Sequence, residues 1–418
     1  MKGVKSIWAL VVIAFAMTLA SCERTEPFEP LKERKVFILY SCGYNNLSGN
    51  LSDDISLLCK DAPSSSLSNR NKLLIFSHKT ASFGNYTTPT HPVLIDVYKD
   101  RSGNVVMDTV KVYPESVIGA SARAVNLVLS DIKDTYPAKE YGMVMTSHAT
   151  GWLPQDYYVN GGDSWGASFS AERAMQYTAM MYCVPLVKSM CAHYDSSHGQ
   201  VKSAYEMEID DFAEAVPIHL KYLVLDMCLM GCVECAYEFR NIVDYLAVSP
   251  TEILSDGMEY GNMLNRLLYS AEPDVRGVCD DYYRYYADKG SYATISLIDC
   301  RNMEYLASVC ADLFEEYADA IDGVNPDGIQ RYWRDGKHWF YDLRDILVKS
   351  GISADDLSAL DDALASCVLY NAATDYFLTI PIRNHCGLSM YLPKMDRDRG
   401  LRSFYSTLAW NKATSLVR

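Results

Sequence analysis

Two reactive side chains, His148 and Cys228, each follow a short apolar run in this 418-residue chain. The runs are Tyr141 to Thr146 and Tyr222 to Leu225, and their Val, Leu, Met and Tyr content is typical of buried parallel strands. A thiol can act as a nucleophile and an imidazole as its general base, which are the groups that acyl transfer requires. The pattern therefore favours a cysteine–histidine pair, although a lone cysteine after a strand is more often a small buried apolar residue.

The segment after Cys228 has apolar residues at helical spacing. Leu229, Val233, Ala236 and Tyr237 fall on one helix face, which predicts a helix starting directly after the cysteine. Ligands of open α/β sheets bind at the carboxyl ends of the strands, where helix N-termini present free N–H groups. Because such a terminus lowers the pKa of a thiol, we expect an activated Cys228 thiolate.

A metal site is the weaker alternative for the same residues. Cys228, Cys232 and Cys235 fall on consecutive helical turns. Structural zinc usually takes four ligands from loop-borne Cys pairs, and no second pair lies nearby in sequence. We therefore expect no metal and no cofactor, and the sequence leaves a calcium requirement open.

Strand and helix patterns alternate along the first half of the chain and predict the fold. This alternation predicts a three-layer α/β/α sandwich with a mostly parallel central sheet. Past Tyr260 the chain turns helical, up to a last strand. The predicted strands are Lys35 to Tyr40, Leu73 to Ser77, Val93 to Tyr98 and Leu388 to Leu392, and the predicted helices are Ser121 to Thr135, Val278 to Tyr286 and Met303 to Ala320.

The amino end has the features of a bacterial lipoprotein signal. Lysines precede an apolar run from Ile7 to Leu19, which ends in Leu-Ala-Ser-Cys22. The run is shorter than the ~20 residues that a membrane-spanning helix needs. We predict a signal peptide at 1–21, lipidation of Cys22, a tether at 22–34 and a single domain at 35–418. Glu23 in the second mature position favours the outer membrane, in either leaflet.

Composition narrows the possible partners. The net charge is −15 and no basic patch stands out, which argues against nucleic acid. An acidic body attracts cationic substrates, and an apolar fraction of 49% can form a large core. The 13 cysteines lie mostly inside apolar segments, so we expect buried free thiols, with a Cys183–Cys191 pair left open. We expect a monomer.

Five segments extend the pattern beyond the two junctions. With them the chain resembles the clostripain family of cysteine peptidases, which is grouped with caspases, gingipains and legumain. The resemblance covers most of the chain after the signal, in the family's order. The segments are FILYSCGYNNLSGNLSDDISLL, YPAKEYGMVMTSHATGWLP, YLVLDMCLMGCVECAYEFR, AVSPTEILSDGMEYGNML and GLSMYLP.

The resemblance implies a role for each matching residue. It makes Cys228 the nucleophile, His148 its partner, and Asp226 the acid that selects Arg or Lys before the cut bond. A carboxylate can form a charge-assisted pair with a guanidinium, although a capping role for Asp226 stays open. Glu234 matches a family glutamate that we interpret as structural. Trp152 either forms a wall of the substrate pocket or packs in the core.

Two positions depart from the family pattern. Ala149 stands where a glycine usually follows the histidine, and its N–H is expected to form an oxyanion hole with that of Cys228. Alanine keeps the N–H, so the oxyanion hole survives unless the turn requires a positive φ, which alanine resists. Tyr44 stands where the family commonly has Asp. The resemblance implies an endopeptidase that cleaves after Arg or Lys, and the amino end predicts its lipid anchor. The departures from the family pattern keep a non-catalytic binding module as the alternative.

Family members often cut themselves between the histidine and the cysteine. The basic residues in that interval are Arg173, Lys188 and Lys202. Self-cleavage, where it occurs, is expected after one of them. The Gly- and Ser-rich stretch GGDSWGASFS in the same interval is expected to form a rim of the site.

Overall fold

A central β-sheet organises the protein in the computed structural model, which describes residues 34–65, 70–82, 85–155, 190–197, 200–334, 339–393 and 398–418. The strand order is β13-β11-β10-β9-β6-β1-β2-β4-β5, and β3 pairs with β2. The five central strands, β10, β9, β6, β1 and β2, are mutually parallel. Antiparallel strands extend the sheet on both sides. This arrangement confirms the predicted mostly parallel sheet.

The described elements are numbered in chain order. The strands are β1 Lys35–Gly43, β2 Asn71–Ser82, β3 Asn85–Pro89, β4 Val93–Lys99, β5 Val105–Val112, β6 Glu140–Thr146, β7 Met190–Ser197, β8 Gln200–Met207, β9 Leu220–Asp226, β10 Val243–Val248, β11 Thr294–Asp299, β12 Tyr341–Asp342, β13 Val368–Ala373, β14 Tyr376–Phe377, β15 Ile380–Pro381 and β16 Ser389–Met390. The helices are α1 Ser48–Cys59, α2 Ala122–Thr135, α3 Ile209–Ala215, α4 Val233–Glu238, α5 Met263–Leu267, α6 Val275–Ala287, α7 Met303–Glu316, α8 Ala318–Gly323, α9 Leu343–Lys349, α10 Ala354–Cys367, α11 Arg399–Tyr405 and α12 Ala409–Thr414.

Each face of the sheet buries its own apolar core, which establishes the three layers. Along β1, Ile38 and Tyr40 belong to one core, whereas Phe37 and Leu39 belong to the other, as the period of two in a strand requires. The first core packs against helices that include α2, α4 and α7, and the second packs against α5 and α6. The predicted α/β/α sandwich is therefore confirmed.

The register of β6 and β9 places the two reactive junctions side by side. The strands are parallel neighbours, and Thr146 lies opposite Asp226. His148 and Cys228 each follow two residues later, at the carboxyl edge of the sheet. This is the edge at which open α/β sheets bind their ligands.

Two expectations about the second half of the chain are wrong. The part after Tyr260 is not only helical, because β11 and β13 join the main sheet by antiparallel pairing. The last strand is also shorter than predicted, since only Ser389–Met390 pairs, with β12. A short apolar run such as that of the fully buried β11 has no sequence signal that separates it from a helix segment of the same apolar content.

The predicted signal peptide, Cys22 and nearly all of the tether lie outside the described residues, as does GGDSWGASFS. Among the described residues, no helix is long and apolar enough to cross a membrane.

Candidate active site

A cleft of about 320 Å³ opens at the carboxyl ends of β6 and β9. It contains both predicted reactive residues together with acidic and apolar side chains. Its lining comprises Asn46, Leu47, Leu51, Asp54, Thr146, Ser147, His148, Asp226, Met227, Cys228, Glu252, Ile253, Leu254, Ser255, Gly257, Arg334, Phe377 and Leu378. The structure thus brings His148, Cys228 and Asp226 to one cavity.

Cys228 lies in a tight turn rather than at a helix start. Leu229 adopts a left-handed conformation with φ of 61°, and its N–H donates to Thr251 O at 2.8 Å. Helix α4 begins only at Val233, with Cys232 as its N-cap. The predicted helix directly after Cys228 is therefore wrong, because this backbone turns away before the helical hydrogen bonds begin.

The ionisation of Cys228 follows from its surroundings. Burial, and after it the negative charge of Glu252, raises the pKa of the thiol well above its ordinary value. The Ile253 N–H donates to Sγ at 3.3 Å and opposes that rise. The expectation of a lowered thiol pKa is therefore wrong, since the helix N-terminus that would cause it lies further along the chain.

The segment opposite Cys228 is held by buried hydroxyls. Thr294 Oγ1 lies 2.8 Å from Ser249 Oγ and 2.8 Å from Thr251 Oγ1. These contacts fix the chain that leads from β10 to Ile253. Because the Ile253 N–H donates to the sulfur, the network helps to position the nucleophile.

His148 is oriented by an amide. Its Nε2 lies 2.7 Å from Asn46 Oδ1, an oxygen that can only accept, so Nε2 carries the proton. The neutral ring then keeps Nδ1 unprotonated. Burial lowers the pKa of His148 to about 4, so the imidazole is neutral at pH 7 and can take a proton. Asn46 stands in the YNN segment quoted above, and its contact with the histidine had no sequence signal of its own.

Ala149 occupies its position without a positive φ. The left-handed residue of this turn is Gly151, with φ of 63°, and a Cβ there would lie 2.6 Å from Leu229 O. Ala149 is fully buried and has no left-handed backbone. The condition under which alanine would disturb the predicted oxyanion N–H is therefore absent at this residue.

Asp226 forms the acidic floor of the cleft. Tyr260 donates its hydroxyl to Oδ2 at 2.7 Å, and Gly257 approaches so closely that a Cβ would lie 2.6 Å from the same oxygen. Burial raises the pKa of Asp226, although hydrogen bonds from Tyr260, the Met258 N–H and Thr146 oppose the rise. The carboxyl is side-chain bonded and lines the cleft, so it is not a helix cap.

A second acid, Asp54, lines the same cleft and was missed from sequence. It lies on α1, on the buried face that also carries Leu51 and Leu58. Burial and then the charge of Asp226 raise the pKa of Asp54 to about 8. The available signal was a carboxylate at a position where the helical spacing calls for an apolar residue.

An ion pair stands at the side of the cleft. Arg334 donates to Glu252 Oε1 at 2.7 Å, and both side chains line the cavity. Their charges act on Cys228 in opposite directions, because Glu252 raises the thiol pKa and Arg334 lowers it. Neither residue was singled out from sequence.

Trp152 is a core residue, which corrects its assignment to the substrate pocket. It is fully buried, its indole N–H donates to Trp339 O at 3.2 Å, and its ring packs against Tyr391 and Tyr405. It does not line the cleft. Tyr44 is also buried and packs beside His78, where its ring centroid lies 5.7 Å from that of the histidine.

The remaining cysteines give no metal cluster in the described part of the chain. There, no group of three His, Cys, Asp or Glu side chains is arranged to hold an ion. Cys232 and Cys235 lie with their Sγ atoms 3.2 Å apart, and both are buried. All ten cysteines with described side chains are free thiols, as predicted for the apolar segments. Cys183 and the side chain of Cys191 lie outside the description.

Other histidines with described contacts are structural or exposed. The Gly119 N–H donates to buried His78 Nδ1, and His385 lies 3.1 Å from the Tyr332 hydroxyl. His91 stands on the surface beside Glu115. The His193 side chain and His198 lie outside the description.

The sequence and the fold both resemble those of known proteins. The clostripain family model matches residues 185–415, more than half of the chain. The chain belongs to the clostripain family. It is accordingly a cysteine peptidase. No curated protein sequence matches it.

Solved structures agree with the family assignment. An inactive zymogen C11 protease from Parabacteroides distasonis is 25% identical, with a TM-score of 0.69, and the match covers 91% of this chain and 98% of that one. A secreted C11 cysteine protease from Bacteroides thetaiotaomicron, in complex with an irreversible peptide inhibitor, is 21% identical with a TM-score of 0.71 and the same coverage. At 21% identity, the similarity to the second structure supports the fold alone.

Proposed function

We propose that this clostripain-family peptidase cleaves peptide bonds after Arg or Lys, with Cys228 as nucleophile and His148 as its base. The observation that carries the proposal is the single cleft that holds the thiol, the neutral imidazole and the buried Asp226. A thiol and an imidazole supply the chemistry, and the carboxylate supplies a reason for a cationic side chain to enter.

The reaction starts from a neutral pair. The His148 imidazole takes the Cys228 proton as Sγ attacks the scissile carbonyl carbon, and the carbonyl oxygen becomes an oxyanion. The backbone N–H groups of Cys228 and Ala149 are the proposed donors to that oxyanion. The imidazolium then protonates the leaving amine, which gives a thioester that water hydrolyses with His148 again as base.

Asn46 supports this sequence by its contact with Nε2. Because the amide oxygen accepts that N–H, Nδ1 is the nitrogen that exchanges protons with the thiol. The same contact stabilises the imidazolium that forms during attack, since a hydrogen bond to a charged donor is stronger than a neutral one.

The proposed specificity rests on charge and burial. A buried carboxylate pairs with a guanidinium or an ammonium but disfavours an acidic or apolar side chain. The only arginine among the described lining residues, Arg334, is already paired with Glu252, so it does not neutralise Asp226 by direct contact.

We also propose export and lipid anchoring through Cys22, on the strength of the signal-like amino end. The proposed location is the outer membrane, with peptide or protein substrates and action as a monomer. Metabolic labelling with a palmitate analogue tests the anchor: label is expected on the wild type and absent from Cys22→Ser.

The catalytic test uses the protein without its first 21 residues. We expect cleavage of a fluorogenic peptide ending in arginine, and a loss of about 10⁴-fold or more in kcat for Cys228→Ala. Cys59→Ala, which removes a buried thiol of α1, is the matched control and should keep its activity. Equal activity of Cys228→Ala and the control would refute the assignment.

A non-catalytic binding module is the second candidate, and the raised pKa of the Cys228 thiol is the observation that favours it. A thiol-directed probe that carries arginine separates the two. A peptidase is labelled at Cys228 ahead of its other thiols, whereas a binding module shows no preference.

Self-cleavage is a separate proposal. Lys202 lies in β8, whereas Arg173 and Lys188 lie outside the described residues. Arg→Gln and Lys→Gln changes at the three positions, followed by electrophoresis of the active protein, should abolish one cut. An active protein that runs as one intact chain contradicts this proposal.

A further inference from the structure

Asp54 is a buried acid whose side chain has no partner among the described residues. It is 6% exposed, and no hydrogen bond or ion pair to its carboxyl exists in that part of the chain. Asp226, at similar burial, has the Tyr260 hydroxyl at 2.7 Å. Neither Asp54 oxygen is among the inaccessible polar atoms of the described residues that lack a partner, so the carboxyl reaches the cleft, where a ligand with N–H donors can contact it.

Asp54 is positioned to contact the same ligand as Asp226. Helix α1 follows β1, and β1 and β9 are the two neighbours of β6 in the sheet. The two acids therefore approach the cleft from either side of the strand that carries His148. Both line the cavity, and each carboxyl acts on the other through its charge.

We propose that Asp54 is a second carboxylate of the specificity pocket, which pairs with Asp226 around a cationic substrate side chain and releases a proton when that side chain binds. The inference rests on the proposed function, since it concerns the substrate of that same site. In the step, the Asp54 carboxyl loses its proton to solvent and the carboxylate accepts hydrogen bonds from the guanidinium. No bond to carbon changes.

The charges around Asp54 explain why its carboxyl holds a proton before a cation binds. Two buried carboxyls in one cavity cannot both ionise without a counter-charge, and the surroundings are mostly acidic. Burial and these charges raise the pKa of Asp54 to about 8, so the group is protonated at pH 7. The groups that face it or share its cavity are Asp53 on its own helix, Asp226 at the end of β9, Asp256 and Tyr260 after β10, and His148, Glu252 and Arg334 in the lining.

A cationic ligand replaces the missing counter-charge. Two carboxylates on opposite sides can take the several N–H donors of a guanidinium, whereas an ammonium is a single point charge. The pair therefore favours arginine over lysine. Binding of the cationic side chain should also become stronger as the pH rises to about 8, because less free energy is then needed to remove the proton from Asp54.

The direct test is binding to Cys228→Ala protein, which does not depend on turnover. An arginine-ending peptide is titrated by calorimetry at pH 7 in two buffers of different ionisation enthalpy, and a citrulline-ending peptide serves as the uncharged ligand. We expect release of up to one proton with arginine and none with citrulline. Introducing Asp54→Asn into the Cys228→Ala protein should weaken binding of the arginine peptide about 10- to 100-fold and abolish the proton release.

Asp53→Asn is the matched control, because it makes the same side-chain change at the neighbouring, exposed residue of α1. It should bind within about twofold of the parent. The difference between Asp54→Asn and the parent should grow from pH 6 to pH 8, which a purely structural role would not produce. Unchanged binding in Asp54→Asn, or binding without proton release, overturns the inference.

Two further outcomes separate causes. Calcium is also titrated alone. If Asp54→Asn removes calcium binding and leaves arginine binding unchanged, Asp54 belongs to a metal site, which overturns the inference. Failure of the proposed function gives a different result from failure of the Asp54 inference. In that case the wild type cleaves no arginine or lysine substrate, and the Cys228→Ala protein binds the arginine peptide no better than the citrulline peptide.

Discussion

Glu234 and Asp54 are two buried acids with opposite surroundings. Both are nearly inaccessible, at 1% and 6% exposure, and burial raises the pKa of Glu234 to about 7 and that of Asp54 to about 8. Glu234 Oε1, however, accepts the Tyr391 N–H at 3.0 Å and the Tyr405 hydroxyl at 2.8 Å. Asp54 has no such donor in the described chain.

The difference separates structure from function. The donors of Glu234 come from the chain around β16 and from α11, so this acid ties the carboxyl-terminal segments to α4. Asp54 accepts no such bond and instead lines the cleft. An acid that accepts hydrogen bonds from distant segments of its own protein is structural, whereas an acid that only lines a cleft is available to a ligand.

The largest expected effect is on Glu234. Glu234→Ala leaves the Tyr391 N–H and the Tyr405 hydroxyl without an acceptor, and each loss costs about 1–3 kcal/mol. We expect the free energy of unfolding to fall by about 3–5 kcal/mol in urea titrations, while kcat/KM per folded molecule changes less than about threefold. Glu315→Ala on the exposed side of α7 is the control, and a loss no larger than its own would break the comparison.

A smaller effect of opposite sign is expected at Asp54. The folded-state pKa lies above the ordinary 3.8, so the stability contributed by the protonated group is complete below pH 3.8 and is lost as the pH rises to about 8. Asp54→Asn removes that loss and should gain about 1–3 kcal/mol of unfolding free energy at pH 8.

Urea titrations at pH 5, 6.5 and 8 check the sign. The advantage of Asp54→Asn over the wild type should increase with pH, while Asp53→Asn, which removes only one of the charges that raise the Asp54 pKa, should gain less. An advantage that is constant or that shrinks toward pH 8 would show that Asp54 is not protonated in the folded protein.

The smallest effect concerns the support of Asp226. Gly257→Ala combines a left-handed φ of 66° with a Cβ 2.6 Å from Asp226 Oδ2. We expect about 1–2 kcal/mol of lost stability from the backbone and a fall of about 3- to 10-fold in kcat/KM for an arginine substrate.

Gly290→Ala is the matched control for this change, because its φ is 64° and no atom lies within 4 Å of the added Cβ. It should lose similar stability and keep its activity. Equal activity loss in both variants would show that the contact with Asp226 has no catalytic consequence.

Several parts of the fold were predictable because they depend on local patterning. The apolar runs before His148 and Cys228 are strands, and Ser121 caps helix α2 by accepting the Ala124 N–H. The helix face of Val233, Ala236 and Tyr237 is also present and buried. Its start was misplaced by several residues, since the left-handed Leu229 is held by Thr251, which no local pattern reveals.

The candidate site was also predictable only in part. Sequence brought His148, Cys228 and Asp226 together, because residues at the ends of neighbouring parallel strands meet at one edge. It could not separate a packed Trp152 from a pocket wall, nor find Asn46, Asp54 or the Glu252–Arg334 pair. Those contacts join residues far apart in the chain.

The amino-acid sequence by itself thus determined the strands that precede His148 and Cys228, the reactive residues at the ends of those strands and the family to which they point. Only the tertiary structure decided their ionisation. The pKa values of a thiol, an imidazole and two carboxyls depend on burial and on neighbouring charges, which exist once distant segments pack around the same cleft.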